Sequence, residues 1–167
     1  MKKKMSIMGT GSRSMLTEPD ALEIYSNLEA EVLRLADKYD LHLISGMAEG
    51  WDEAIAKAAM RNNIPYTVMI PNKGYGNYYW GKHSLLKKNR MNVFNELVKH
   101  ATKVVYVCDD VYEEIDGKKV HANFIRNQAM VDACDVALVY KPESRGTKDA
   151  VERLEKANKR YKVAPFK

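Results

Sequence analysis

Cysteine is scarce in this 167-residue chain, with Cys108 and Cys134 the only two. They form no CxxC pair and no repeated spacing, which argues against a zinc ribbon or a disulfide framework and fits a reducing, cytoplasmic setting. The four histidines, His42, His83, His100 and His121, lack ligand spacing, so neither a metal site nor a cofactor is expected. No apolar run is long enough to span a bilayer. The lysine-rich start, Met1-Lys2-Lys3-Lys4, is followed by too few apolar residues for the core of an export signal, so no membrane partner is expected. A Walker loop, a complete GxGxxG, a nucleophile elbow, a locally supported Cys-His pair and a paired-carboxylate motif are also missing.

What is present suits one buried core. Hydrophobic residues make up 46% and charged residues 29%, which predicts one domain over residues 1–167. Lys and Arg outnumber Asp and Glu by 27 to 22, giving a net charge of +5 and a mild bias toward anionic ligands.

Short apolar runs at Lys4–Met8, Leu41–Ile44, Ile64–Ile70, Lys103–Cys108 and Val136–Tyr140 read as strands. Between them the apolar spacing predicts helices. One follows Pro19 and uses Leu22, Tyr25, Leu28, Val32 and Leu35; a second starts at Trp51 and uses Ile55, Ala58 and Ala59. Others are predicted over His83–His100, Asn123–Ala133 and Lys148–Lys159, with a last short strand in Tyr161–Phe166. Gly74–Gly81, "GYGNYYWG", reads as an aromatic loop, and Tyr112–Lys119, centred on Asp116-Gly117, as a small hairpin or flap. Alternating strands and helices predict an α/β, Rossmann-like three-layer fold with a mainly parallel central sheet. Ligands bind such sheets at the carboxyl ends of the strands, which makes each strand-to-helix turn a candidate site.

Gly9-Thr10-Gly11-Ser12-Arg13 offers open backbone N–H groups, hydroxyls and a guanidinium, all suited to phosphate. Ser144-Arg145-Gly146-Thr147 repeats that chemistry ahead of a helix, where Thr147 is equally suited to cap the helix without any ligand. Arg126 and Asn127 suit a ribose or base, or else the solvated face of a helix. Tyr75, Tyr78, Tyr79 and Trp80, beside Lys73 and Lys82, suit base stacking, a subunit contact or core packing. Asp109, Asp110, Glu113 and Glu114 form an acidic turn that is open to acid–base work or to simple hydration. In Ser45–Ala54, "SGMAEGWDEA", Gly46 and Gly50 allow a tight turn, and Asp52 is placed to cap the next helix or to meet a ribose hydroxyl.

Together "GTGSR", "LISGMAEGWDEAIAKAA" and "FIRNQAMVDACDVALVYKPESRGTKDAVERLEKA" resemble the SLOG superfamily, which includes DprA, LOG-type phosphoribohydrolases and YpsA-like proteins. The resemblance runs from about Lys4 to Ala157. It implies a Rossmann-like fold whose turns hold a nucleotide-derived ligand, with Gly9, Gly11, Ser12 and Arg13 in the first loop. Ser45, Gly46, Gly50 and Asp52 fall in the second, Arg126 and Asn127 in the third, and Ser144, Arg145, Gly146 and Thr147 in the fourth. It also implies self-association into a homo-oligomer. LOG-type enzymes carry a GG-x-GT-x-x-E motif with a catalytic glutamate; here the matching position is Ala150 and the glycine pair is Ser144-Arg145. A methyl group neither activates water nor stabilises an oxocarbenium ion. The expectation is therefore binding, as a sensor, regulator or sequestering protein. Nucleotide N-glycosidic hydrolysis or transfer, through Asp52, Asp109, Glu113 or Arg126, and DprA-like binding of single-stranded DNA are the alternatives.

Overall fold

The apolar runs become the strands of one parallel sheet in the computed structural model of the protein, which describes residues 1–166. Among these residues the strands are β1 (Lys3–Gly11), β2 (Tyr39–Ser45), β3 (Tyr66–Ile70), β4 (Lys103–Tyr106), β5 (Tyr112–Ile115), β6 (Lys118–His121), β7 (Val136–Tyr140) and β8 (Arg160–Val163). The helices are α1 (Ala21–Lys38), α2 (Trp51–Arg61), α3 (Met91–His100), α4 (Ala122–Ala133) and α5 (Arg145–Lys156). Six strands form the sheet in the order β4-β3-β2-β1-β7-β8, every pair parallel, while β5 and β6 form a separate antiparallel hairpin.

The strands read as continuous apolar runs because both faces of the sheet are covered. Ile7, Leu43, Val68 and Leu138 pack with Leu28 and Val32 of α1, Ile55 and Ala59 of α2, and Phe94 and Leu97 of α3. Their neighbours Met8, Ile44, Ala137 and Val139 pack on the opposite side with Met130 and Val131 of α4 and Ala150, Val151 and Leu154 of α5. Adjacent residues of one strand thus serve opposite layers. Strand order reverses at β1, which leaves a crevice between the turns after β1 and β7.

Several local expectations change. β1 extends to Gly11, so Gly9-Thr10-Gly11 belongs to the sheet and the turn starts at Ser12. β3 starts at Tyr66, β4 ends at Tyr106 and β8 covers Arg160–Val163. Leu22 points to solvent, 85% exposed, although its spacing suits the inner face of α1. The aromatic stretch is not irregular: Asn77–Lys82 forms a π-helical turn. The helix foreseen from His83 starts only at Met91, because residues 84–90 are held in an irregular path by buried charge. Ser84 Oγ donates to Glu49 Oε2 at 2.6 Å, Leu85 N–H to Glu49 Oε1 at 2.9 Å, and Arg90 pairs with both Glu49 and Glu53. The last helix starts at Arg145 with Ser144 as its N-cap, which puts Arg145, Gly146 and Thr147 in its first turn.

Candidate functional site

A cleft of about 980 Å³ opens at the carboxyl edge of the sheet, over the point where strand order reverses. Four separate stretches of chain meet in it. The turn after β1 brings Ser12, Arg13 and Ser14; the loop after β2 and the first turn of α2 bring Ala48 and Asp52; α4 brings Asn123, Arg126 and Asn127; and the start of α5 brings Arg145, Gly146 and Thr147.

The first turn is set by Ser12, whose hydroxyl accepts the Ser14 N–H at 3.1 Å and caps a 3-10 turn over Arg13–Thr17. Lys141, on the turn after β7, donates to Glu18 Oε1 at 2.8 Å and so ties the first turn to the fourth. In the second loop the buried Ser45 hydroxyl donates to the Asp52 carbonyl at 2.7 Å and accepts the Met47 N–H at 3.1 Å, which closes the joint from β2 to α2. Gly50, not Asp52, is the N-cap of α2. Its φ is +86°, and a Cβ there would stand 2.8 Å from the Arg13 Cα and 2.9 Å from the Arg13 carbonyl oxygen, so the first and second loops are in backbone contact at this glycine.

Asp52 sits in the first turn of α2 and lines the cleft while only 4% exposed. Burial pushes its carboxyl up to about 6, against the pull of the Arg126 charge and of hydrogen bonds from the Ala48 and Gly11 backbone. Arg126 itself is buried; Nη1 donates to the Gly46 carbonyl at 2.5 Å, Nε donates to Asn127 Oδ1 at 3.1 Å, and the guanidinium lies 6.0 Å from the centre of the Tyr75 ring. Asn127 Nδ2 donates to the Gly146 carbonyl at 3.2 Å and to Asp149 Oδ2 at 3.0 Å. The third stretch therefore braces the second and the fourth. The N–H groups of Arg145, Gly146 and Thr147 have no backbone acceptor among the described residues, as the first turn of a helix requires. Thr147 does not cap the helix; its hydroxyl accepts from Ser144 Oγ at 2.9 Å.

Three of the foreseen glycines, Gly9, Gly46 and Gly50, and one serine, Ser45, are framework rather than lining. A Cβ on Gly9 would stand 2.2 Å from Ile55 Cγ1, and one on Gly46 2.9 Å from Arg126 Cδ. Gly11 lines the cleft but also makes room for Trp51, which stacks on Tyr140 with ring centres 5.2 Å apart. Ser45 is fully buried. The aromatic residues divide. Tyr75 and Tyr79 line the cleft, Tyr78 is exposed beside His83, and Trp80 is fully buried against Phe94, with Nε1 donating to the Met47 carbonyl at 2.8 Å. Trp80 is thus a core residue and offers no face to a base. Asp109 and Glu113 are exposed and lie outside the cleft lining. Ala150 is fully buried between α5 and the sheet, so its position faces the core.

Two features lay beyond the sequence reading. The β5–β6 hairpin forms one wall of the cleft through Tyr112, Lys119, Val120 and His121. The buried Glu49–Arg90–Glu53 cluster fixes residues 84–90, from which Leu85 reaches the cleft. The first had a local signal, the Asp116-Gly117 turn, but nothing near it in sequence says where the hairpin folds back. In all, Arg13, Lys119, Arg126 and Arg145 line the cleft against the single carboxylate of Asp52. Among the described residues no His, Cys, Asp or Glu cluster is placed to hold a metal ion, and no helix is long and apolar enough to cross a membrane.

No family model and no curated protein matches the chain. Solved structures do. DNA processing protein A (DprA) of Streptococcus pneumoniae aligns over 98% of this chain and 51% of its own, with a TM-score of 0.65 and 16% identity. DprA of Helicobacter pylori, which has its own single-stranded DNA binding mode, aligns over 98% and 66%, at 0.62 and 16%. The molybdenum cofactor binding protein of the phototrophic bacterium Rippkaea orientalis aligns over 98% and 76%, at 0.52 and 15%. The chain spans about half the length of the first and about two thirds of the second. At these identities the likeness is one of fold, and the fold is the one that the SLOG resemblance implies.

Proposed function

We propose that the cleft binds a phosphorylated nucleoside or an NAD- or ADP-ribose-derived molecule, and that the protein acts as a sensor, regulator or sequestering protein for it. The observation that carries this reading is the charge of the lining, four cationic side chains against one carboxylate, beside the unpaired first-turn amides of α5. Phosphate takes hydrogen bonds from Ser12 and Arg13 on one side and from Arg145 and the α5 amides on the other. Tyr79 is the aromatic residue best placed to lie against a base, since it lines the cleft and is only partly buried. A thermal-shift panel of nucleoside monophosphates, NAD and ADP-ribose tests the reading: a ligand present at a hundred times its dissociation constant stabilises by about 2.7 kcal/mol. No shift from any of them at millimolar concentration removes it.

A second reading, hydrolysis or transfer at an N-glycosidic bond, is favoured by Asp52 alone. A buried carboxyl with a pKa of about 6 beside a ligand cleft is suited to donate a proton to a leaving base. Release of free base from a nucleoside monophosphate, abolished in Asp52→Asn, supports it; no release from any nucleotide sinks it.

A further inference from the structure

We propose that Tyr75 and Asp52 form a sugar subsite on the floor of the cleft, where the Tyr75 hydroxyl donates to one ribose hydroxyl of the ligand and the Asp52 carboxylate accepts from its neighbour. The inference rests on the nucleotide-binding reading above and assigns the part of that cleft that selects a ribonucleotide over a deoxynucleotide.

Both residues line the cleft while almost wholly buried, Tyr75 3% and Asp52 4% exposed. The Tyr75 hydroxyl makes no hydrogen bond of normal geometry with a described residue, yet it is not sealed in. Asn123 Oδ1 alone, among the described side-chain nitrogens and oxygens, is both closed to solvent and without a partner, so the Tyr75 hydroxyl opens to the cleft. A polar group on a buried side chain is costly when left unpaired, and one that opens to a cleft marks a bond that a ligand completes. Burial raises the Tyr75 pKa, against the pull of the Arg126 charge, so the phenol keeps its proton and donates.

Asp52 supplies the complementary acceptor. Its two carboxylate oxygens take about four hydrogen bonds, and the Ala48 and Gly11 amides use only part of that capacity. Arg126, beside both residues, commits Nη1 and Nε to the Gly46 carbonyl and Asn127 Oδ1, which leaves the Asp52 carboxylate to a ligand hydroxyl. A carboxylate repels phosphate and takes a hydroxyl, so this part of the floor suits a sugar.

The order of groups along the cleft is that of a nucleotide. On one side the Gly11 amide bonds Asp52, Ser12 and Arg13 follow directly in sequence, and Gly50, two residues before Asp52, meets the Arg13 backbone. On the other side the Tyr75 ring lies 4.6 Å from that of Tyr79, the residue placed to lie against a base. A ribose joins phosphate to base, and Asp52 with Tyr75 joins these two sides.

The test is a calorimetric titration of AMP, 2′-deoxy-AMP, 3′-deoxy-AMP and ADP-ribose at pH 7.5 into wild type, Tyr75→Phe and Asp52→Asn, with all three proteins melted without ligand. Tyr75→Phe keeps the ring and removes only the hydroxyl. The expected results are that neither variant melts below wild type and that each binds AMP and ADP-ribose about tenfold more weakly. Each deoxynucleotide binds wild type more weakly than AMP does; one of them suffers no further loss in Tyr75→Phe, and the other none in Asp52→Asn. Deoxynucleotides that bind wild type as tightly as AMP, or affinities for AMP and ADP-ribose that Tyr75→Phe leaves unchanged, overturn the subsite and leave the nucleotide reading standing. Equal weakening of all four ligands in Tyr75→Phe with a lower melting temperature also overturns it, by showing a structural role. No binding of AMP or ADP-ribose to wild type removes the nucleotide reading and the subsite with it.

Discussion

Arg126 donates through Nη1 to the carbonyl oxygen of Gly46, joining the start of α4 to the turn after β2 across eighty positions of sequence. The bond explains two features of the site together. It spends the guanidinium on framework, and it holds a positive charge beside the buried Asp52. Arg126→Ala leaves the Gly46 carbonyl and Asn127 Oδ1 without this donor, so a loss of about 1–3 kcal/mol in urea denaturation is expected. It also raises the Asp52 pKa further, because the charge that favours the carboxylate is gone.

Asp52 gives stability a defined pH dependence. Its folded-state pKa, about 6, lies above the ordinary carboxyl value of 3.8, so the folded protein binds the proton more tightly than the unfolded chain does. The contribution is therefore fully present below about pH 3.8 and is lost as pH rises through 6. The shift corresponds to a change on the order of 2–3 kcal/mol. Denaturation of wild type and Asp52→Asn at pH 4.5, 6 and 7.5 checks it: the wild-type protein loses stability relative to the variant as pH rises.

Gly50 keeps the first two loops together. Its φ of +86° and the approach of Arg13 leave no room for a side chain, so Gly50→Ala is expected to cost about 2 kcal/mol and to weaken ligand binding by displacing Arg13. Thermal melting and a binding titration on the same variant read the two effects separately.

Arg90 serves two buried carboxylates, Glu49 and Glu53, neither more than 3% exposed. Arg90→Met removes the buried cation from both, leaving Glu53 with Lys57 at 3.6 Å and Glu49 with only the Ser84 hydroxyl and the Leu85 N–H, and a loss of about 3–5 kcal/mol is expected. Trp80→Ala should cost a similar amount by cavity formation, about 3–5 kcal/mol, whereas Tyr79→Ala changes stability less and ligand affinity more. The contrast between Trp80 and Tyr79 in melting and titration tests the assignment of one to the core and the other to the cleft.

The layered fold was legible because burial on two faces turns each central strand into an apolar run, and Leu41–Ile44 and Val136–Tyr140 are nothing else. Part of the cleft lining was legible for the same reason: Arg13, Asp52, Asn127 and Arg145, which the structure brings to one candidate site, follow or face strand ends that the alternation locates. What stayed hidden depends on contacts distant in sequence. The composition of Gly74–Gly81 speaks for a loop, yet the Trp80 bond to Met47 and the packing on Phe94 fold it into a π-helical turn. Leu85 and Leu86 continue the helical spacing of α3, yet Glu49 binds Ser84 and Leu85 and keeps them out of it. Gly9 and Gly46 match a ligand-loop motif, but Ile55 and Arg126 occupy the space that a side chain would take.

In the proposed function Arg13 and Arg145 face one phosphorylated ligand from opposite turns. Calorimetric titration of ADP-ribose and AMP into wild type and into the double variant Arg13→Ala, Arg145→Ala tests it most directly. Binding of at least one of them to wild type at one site per chain is expected, weakened tenfold or more in the double variant, by about 1.4 kcal/mol or more, with an unchanged melting temperature. Equal affinity in both proteins, or no heat of binding at millimolar ligand, contradicts it.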